Sequence, residues 1–243
     1  MLFDPAGRDR LELEAAAMTA AARAGVSVPI VHEVVVIDGR PGLVMDRIHG
    51  EDLLTILNRR PWRLLRSASE LGRLQARLHD VSAPSELPDL RQTLLRRIES
   101  APHLPSGTAS YARELLAGLP DGDRICHGDF HPGNVVVGPG GMVLIDWSNA
   151  ARGDPMADVA RSIVLLRIAA VPAHGSPSSR AAIQVGRRLL RRAWVRSYRR
   201  EHTLDPSVVR RWETVGAVAR LGDGIGDGVE PLLRLIAARE RRS

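Results

Sequence analysis

The spacing of apolar residues changes period several times along this chain, and the changes divide it into elements. Residues 8–24 are rich in alanine and leucine and stop at Gly25, which predicts a helix with a glycine stop. Val31-His32-Glu33-Val34-Val35-Val36-Ile37 is a β-branched run. It is followed by the turn residues Asp38-Gly39-Arg40-Pro41-Gly42 and then Leu43-Val44-Met45, which predicts a hairpin. From Glu51 to Leu119 the pattern is helical, broken at Pro61, Pro84, Pro88, Pro102 and Pro105. A second β region lies between Arg124 and Trp147, where Val135-Val136-Val137 and Met142-Val143-Leu144-Ile145 flank the turn Gly138-Pro139-Gly140-Gly141. Beyond Asp154 the pattern is helical again, apart from a small-residue loop from Pro172 to Ser179. No internal repeat or low-complexity tract is visible. The layout is α+β: a small β-containing N-terminal part, then a mostly helical body with one embedded hairpin.

With 243 residues, 44% hydrophobic and 26% charged, the chain can bury a core without staples, and it is neither a disordered tail nor a coiled coil. Its single cysteine, Cys126, excludes a disulfide framework and a multi-cysteine zinc site, and reads as a small buried apolar residue at a strand end. The net charge is +6, and all 34 basic residues are arginine. With no lysine, Schiff-base and lysine-base chemistry are excluded. The arginines are spread over many predicted helices and aromatics are only 3%, which ranks nucleic-acid binding last among the readings. The longest apolar run, Ile163 to Val171, contains Arg167 and is far too short to span a bilayer. No charged leader precedes an apolar stretch at the N-terminus, so a cytoplasmic protein is expected.

The chemistry concentrates in His127-Gly128-Asp129-Phe130-His131-Pro132-Gly133-Asn134, followed after a hairpin by Ile145-Asp146-Trp147. Asp129 and Asn134 stand on either side of a Pro-Gly turn, and Asp146 emerges at the end of an apolar strand. Two carboxylates and an amide oxygen converging there form a hard-oxygen site suited to Mg²⁺. The order and spacing of these residues resemble the catalytic machinery of protein-kinase-like enzymes, and their local context resembles the aminoglycoside phosphotransferase and choline kinase family.

That resemblance implies a protein-kinase-like two-lobe fold, with a truncated β-containing N-lobe at residues 1–49 and a mostly helical C-lobe at residues 50–243. It implies ATP and Mg²⁺ as cofactors and a small-molecule hydroxyl as the acceptor. Asp129 would be the base, His127 an organising residue, and Asn134 and Asp146 the metal ligands. Leu43-Val44-Met45-Asp46-Arg47-Ile48 would run into the inter-lobe linker, so Met45, Asp46 and Ile48 would meet the adenine. Asp158, in Gly153-Asp154-Pro155-Met156-Ala157-Asp158, would brace the catalytic loop from the following helix.

The resemblance breaks at the front. Glu14 (or Glu12) matches the glutamate that normally pairs a lysine, but Met1 falls at or beside the position of that lysine, and the chain has none elsewhere. Loss of one preorganised donor commonly costs ~10²–10³ in rate. Arg8 or Arg10 would be a poor substitute, because a guanidinium is wide and forked. The expected function is therefore an ATP-dependent phosphotransferase acting on a small-molecule hydroxyl, with a non-catalytic relative that binds a nucleotide, small ligand or partner protein as its rival.

Other features carry two readings each. His127 and His131 could pair on a metal, but lack a further ligand at zinc spacing. Arg188, Arg192, Arg196 and Arg199 form a solvated face or one for an anionic ligand or acidic membrane. Asp223, Asp227 and Glu230 would either bind a cationic substrate or simply form turns. The basic total charge speaks against an aminoglycoside, and leaves sugars, amino alcohols and macrolides open.

Overall fold

In the computed structural model, residues 5–101, 104–169, 176–223 and 229–240 are described. Helix α1 (Pro5–Arg23) begins three residues earlier than the pattern predicts, as proline is tolerated in a first helical turn. It ends where Gly25 adopts φ +79° and the Val26 amide returns to the Ala21 carbonyl. Strands β1 (Val31–Ile37) and β2 (Arg40–Met45) follow as an antiparallel pair. Asp38 and Gly39, at φ 50° and 74°, are the two central residues of the turn, so it is of the primed type that matches strand twist.

The stretch expected to begin a helix at Glu51 opens instead with a two-residue strand, β3 (Glu51–Asp52). Gly50 makes this possible, since a Cβ there would lie 2.5 Å from the Val137 carbonyl oxygen. Asp52 then caps α2 (Leu53–Arg59) by accepting from the Thr55 amide. Helix α3 (Leu64–His79) buries Ala68, Leu71, Gln75, Leu78 and His79 at helical spacing. Next come α4 (Leu90–Ser100), α5 (Thr108–Ala117) and β4 (Arg124–Cys126). The expected hairpin is β5 (Val135–Gly138) with β6 (Gly141–Leu144), and the sheet order is β3-β5-β6.

A short strand that the sequence pattern does not predict, β7 (Ala151–Gly153), pairs with β4. The remaining helices are α6 (Pro155–Ile168), α7 (Pro177–Tyr198), α8 (Pro206–Leu221) and α9 (Val229–Glu240). None of the described helices is long and apolar enough to cross a membrane.

Two apolar cores flank the loop that carries the motif. One gathers α4, α5, α6, α8 and α9, with Trp212, Val215 and Leu232 buried. The other joins α1, α2 and α3 to Phe130, Trp147 and Trp194. Helix α3 can lie close to α7 because Gly72 faces it: a Cβ there would sit 2.6 Å from the Trp194 carbonyl oxygen. The motif loop therefore lies against packed cores on both sides, a condition for holding reacting groups in place.

Candidate active site

The loop after β4 is set by its backbone. Gly128 adopts φ +76°, and a Cβ on it would meet the Asn149 carbonyl oxygen at 2.3 Å, so only glycine fits. Its amide donates to Asp158 Oδ1 at 2.7 Å, and its carbonyl accepts from Arg161 Nε. The preceding His127 is fully buried. Its Nδ1 accepts from the Asp129 amide at 3.2 Å, so its Nε2 carries the proton and donates to the Ile145 carbonyl at 3.1 Å. Burial pushes the His127 pKa down, against the pull of Asp158, which keeps the ring neutral. Both nitrogens are thus spent on the loop and on the strand leading to Asp146. His127 ties together the two halves of the motif and is not available to a metal.

His131 opens a 3₁₀ turn over Pro132–Asn134, its Nδ1 accepting from the Gly133 amide at 3.0 Å. That leaves Nε2 as the donor, facing Asp129 Oδ2 at 3.5 Å. Burial opposes ionisation of Asp129, but His131 and the Arg161 charge outweigh it and hold its pKa at about 2. The stability this ionisation contributes is complete above the ordinary carboxylate range, and is lost as pH falls through about 2.

Asn134 donates through Nδ2 to the Asp129 carbonyl at 2.9 Å and to Asp129 Oδ2 at 3.1 Å. These bonds occupy the amide nitrogen and leave Oδ1 as an acceptor. The Ile145 amide donates to the Asn134 carbonyl at 3.0 Å, which brings Asp146 alongside. Asp146 is exposed and sits at φ 61°, a left-handed conformation that costs a non-glycine residue energy and recurs where function requires it. Ser148 Oγ donates to its Oδ1 at 2.7 Å, leaving Oδ2. One amide oxygen and one carboxylate fit Mg²⁺, which commonly takes few protein ligands and keeps positions for water and phosphate. Among the described residues no group of three or more histidine, cysteine or acidic side chains gathers as a metal site.

Glu14 reaches the same place from α1. Burial raises its pKa, the Trp147 backbone amide lowers it, and the neighbouring Asp146 carboxylate raises it further. The structure therefore brings Asp129, His127, Asn134, Asp146 and Glu14 together. Met45, Asp46 and Ile48 are placed differently, at the end of β2 and in the linker after it. The hydrogen bonds of Asp46 run within the hairpin, from His32 Nε2 at 2.8 Å to its side chain and from its amide to the Ile30 carbonyl at 2.9 Å. Met1 lies outside the described residues.

Behind the loop stands a buried network that the sequence motif shows only in part. Asp158, the one member legible from its motif, accepts on Oδ2 from Gln75 Nε2 and His79 Nε2, both at 3.1 Å. With Nε2 donating, His79 Nδ1 accepts from the Tyr198 hydroxyl at 2.7 Å. Gln75 Oε1 accepts from Trp194 Nε1 at 3.0 Å. Burial opposes the charge on Asp158, but His79 and its other donors hold its pKa below the ordinary value. Burial raises the Tyr198 hydroxyl, which stays a neutral donor. Helices α3 and α7 thereby clamp α6, and α6 clamps the loop. No signal in the sequence links residues 79 and 198, which are 119 positions apart.

The chain covers most of several solved structures. It matches the amicoumacin kinase hAmiN, solved with AMP-PNP, Ca²⁺ and Ami, at TM-score 0.64 and 14% identity, over 97% of this chain and 78% of that one. It matches an aminoglycoside-3'-phosphotransferase of type VIII at TM-score 0.60 and 21% identity, over 86% of this chain and 80% of that one. A choline/ethanolamine kinase family protein from Mesorhizobium loti matches at TM-score 0.56 and 20% identity, over 95% of this chain and 78% of that one. At these identities the likeness establishes the fold, the protein-kinase-like α+β fold expected from the motif. No curated protein sequence matches the chain. The sequence model of the phosphotransferase enzyme family matches residues 1–204, well over half the chain. The chain belongs to that family.

Proposed function

We propose that this protein transfers the γ-phosphoryl group of ATP to a hydroxyl of a small molecule. The observation that carries this reading is the orientation of Asn134. Its amide nitrogen is bonded to Asp129, which leaves its oxygen as an acceptor, and the Ile145 amide on the Asn134 carbonyl brings the Asp146 backbone alongside. A polar loop that merely capped turns would have no need to hold an acceptor-only edge in that way. The solved relatives that hold AMP-PNP, and hygromycin B in another complex, support the same reading by analogy of fold.

In this reading Asn134 and Asp146 would hold Mg²⁺, which would neutralise charge on the nucleotide phosphates. Asp129 Oδ accepts the acceptor's hydroxyl proton as the new P–O bond forms and the bond to the nucleotide's bridging oxygen breaks. A carboxylate with pKa about 2 is a weak base. It serves mainly to orient the hydroxyl and takes the proton late, in keeping with a loose phosphoryl-transfer transition state. His127 keeps the loop and the Asp146 strand in register, Glu14 adjoins the metal side, and Met45, Asp46 and Ile48 form the edge that meets the adenine.

The rival reading is a relative that binds nucleotide without turnover. Calorimetric titration of Mg·ATP into the protein and into Asp146→Ala tests the assignment. Metal-dependent binding that falls at least about tenfold in the variant is expected, since a charged ligand group is lost. Equal binding by both proteins would remove Asp146 from the site. Metal-dependent binding with no phosphorylated product across a panel of hydroxyl compounds would favour the second reading.

A further inference from the structure

Beside the catalytic loop, three arginines from three helices converge on one carboxylate. Arg220 Nη1 of α8 meets Asp223 Oδ2 at 2.9 Å, while Arg161 Nη2 of α6 and Arg97 Nε of α4 stand off at 3.5 Å. Arg97 Nη2 also donates to Asn149 Oδ1 at 2.9 Å, and Arg161 Nε to the Gly128 carbonyl, one residue before Asp129. The backbones of α4 and of the turn after α8 also meet closely here: a Cβ on Gly222 would lie 2.2 Å from the Arg97 carbonyl oxygen.

As a structural ion cluster it is poorly made. At Glu213, by contrast, Arg167 and Arg239 close to 3.1 and 2.6 Å around a buried carboxylate. Around Asp223 three cations share one anion, and two of them are too far for a hydrogen bond. The side chains of Arg97 and Arg220 are each 25% exposed and that of Arg161 is 9% exposed, so their mutual repulsion is only partly screened. Burial, Arg97 and Arg220 lower the Arg161 pKa, against Asp223 and Asp129, while the guanidinium stays charged. The Arg220 Nε–H is buried without a hydrogen-bond partner, the one such side-chain atom among the described residues. A buried unpaired donor on a charged group is costly, and an oxyanion would satisfy it.

We propose that Arg97, Arg161 and Arg220 bind a carboxylate or phosphate group carried by the phosphoryl acceptor. This rests on the phosphotransferase reading and gives its substrate a class: a hydroxy acid or hydroxylated phosphate ester, in place of a cationic compound. Asp223, which the sequence offers as a ligand for a cationic substrate, is already engaged by arginines and serves here as an internal stand-in for the anion. Arg161 carries the geometry to the chemistry. It grips the catalytic loop at Gly128, so an anion held by the cluster sets the acceptor's hydroxyl a few bonds away, near Asp129.

The test titrates inorganic phosphate and, separately, glycerate into the full chain, with and without saturating Mg·AMP-PNP, following heat and thermal midpoint, with Mg·ATP binding measured in parallel. Saturable binding of both anions is expected. It should weaken about tenfold in Arg220→Gln, which loses a charge-assisted donor, and tighten severalfold in Asp223→Asn, which loses the internal competitor. A purely structural cluster predicts that both variants lower the thermal midpoint and neither changes anion affinity; that result would overturn the proposal. Anion binding seen only without Mg·AMP-PNP would assign the anion to the nucleotide's terminal phosphate and overturn it as well. Mg·ATP binding with no anion binding would overturn the anion site and leave the phosphotransferase reading standing. Anion binding that responds to both variants as expected, without Mg·ATP binding, would uphold the anion site and overturn the phosphotransferase reading.

Discussion

The catalytic loop and the β1–β2 hairpin serve one reaction in the proposed reading, yet they are held in opposite ways. In residues 127–134 His127 spends both ring nitrogens, Gly128 spends its amide and its carbonyl, and Asn134 spends its amide nitrogen on positioning. The hairpin is a two-stranded sheet backed by α1, with Ile37 64% and Val36 42% exposed. Its His32–Asp46 pair is about half exposed on each side, so it contributes little. A two-stranded sheet is marginal by itself. The loop is thus held by several bonds that are buried or partly buried, and the hairpin by a thinner contact.

Substitutions should report this contrast in order of size. Asp129→Ala should lower kcat on the order of 10³ while leaving Mg·ATP affinity within about twofold. Steady-state kinetics beside calorimetry would show it, and equal losses in both would break the division between base and metal ligands. Gly128→Ala should cost more than about 2 kcal/mol of stability by chemical denaturation, because the left-handed backbone and the clash with the Asn149 carbonyl add. An unchanged midpoint would mean the loop is softer than its bonds imply.

Tyr198→Phe removes the donor to buried His79 Nδ1 and should cost about 1–2 kcal/mol. A fall in kcat exceeding the change in KM would show the strain reaching Asp129 through Asp158. At the hairpin, His32→Ala should change stability by less than about 1 kcal/mol. A larger loss would show that the nucleotide side is held more firmly than its exposure indicates.

How much of this the sequence discloses follows from how local each feature is. The β1–β2 turn is legible because Asp38-Gly39 states its own backbone conformation. The candidate site's residues are legible as a local group because His127 to Asp146 lie within one loop and one hairpin, and their family resemblance is carried by adjacent residues. Strand β7 is not, since Ala151-Arg152-Gly153 has no strand composition and exists by pairing with β4. The clamp of Gln75, His79, Trp194 and Tyr198 is carried on helices far apart in the chain, where each residue reads as an ordinary core position. The arginine cluster is hidden for another reason: among 34 arginines, no three stand out until the helices bring them together.

Cys126 immediately precedes this loop, fully buried, and its thiol pKa is pushed well up by burial. Only the thiolate is nucleophilic, so the native protein presents nothing for an alkylating reagent to attack. Because it is the chain's only cysteine, the rate at which it becomes labelled reports the openings that expose this end of β4. The protein therefore carries its own clock for opening at the catalytic loop. Any ligand that grips that loop will slow the clock in proportion to how strongly it favours the closed state.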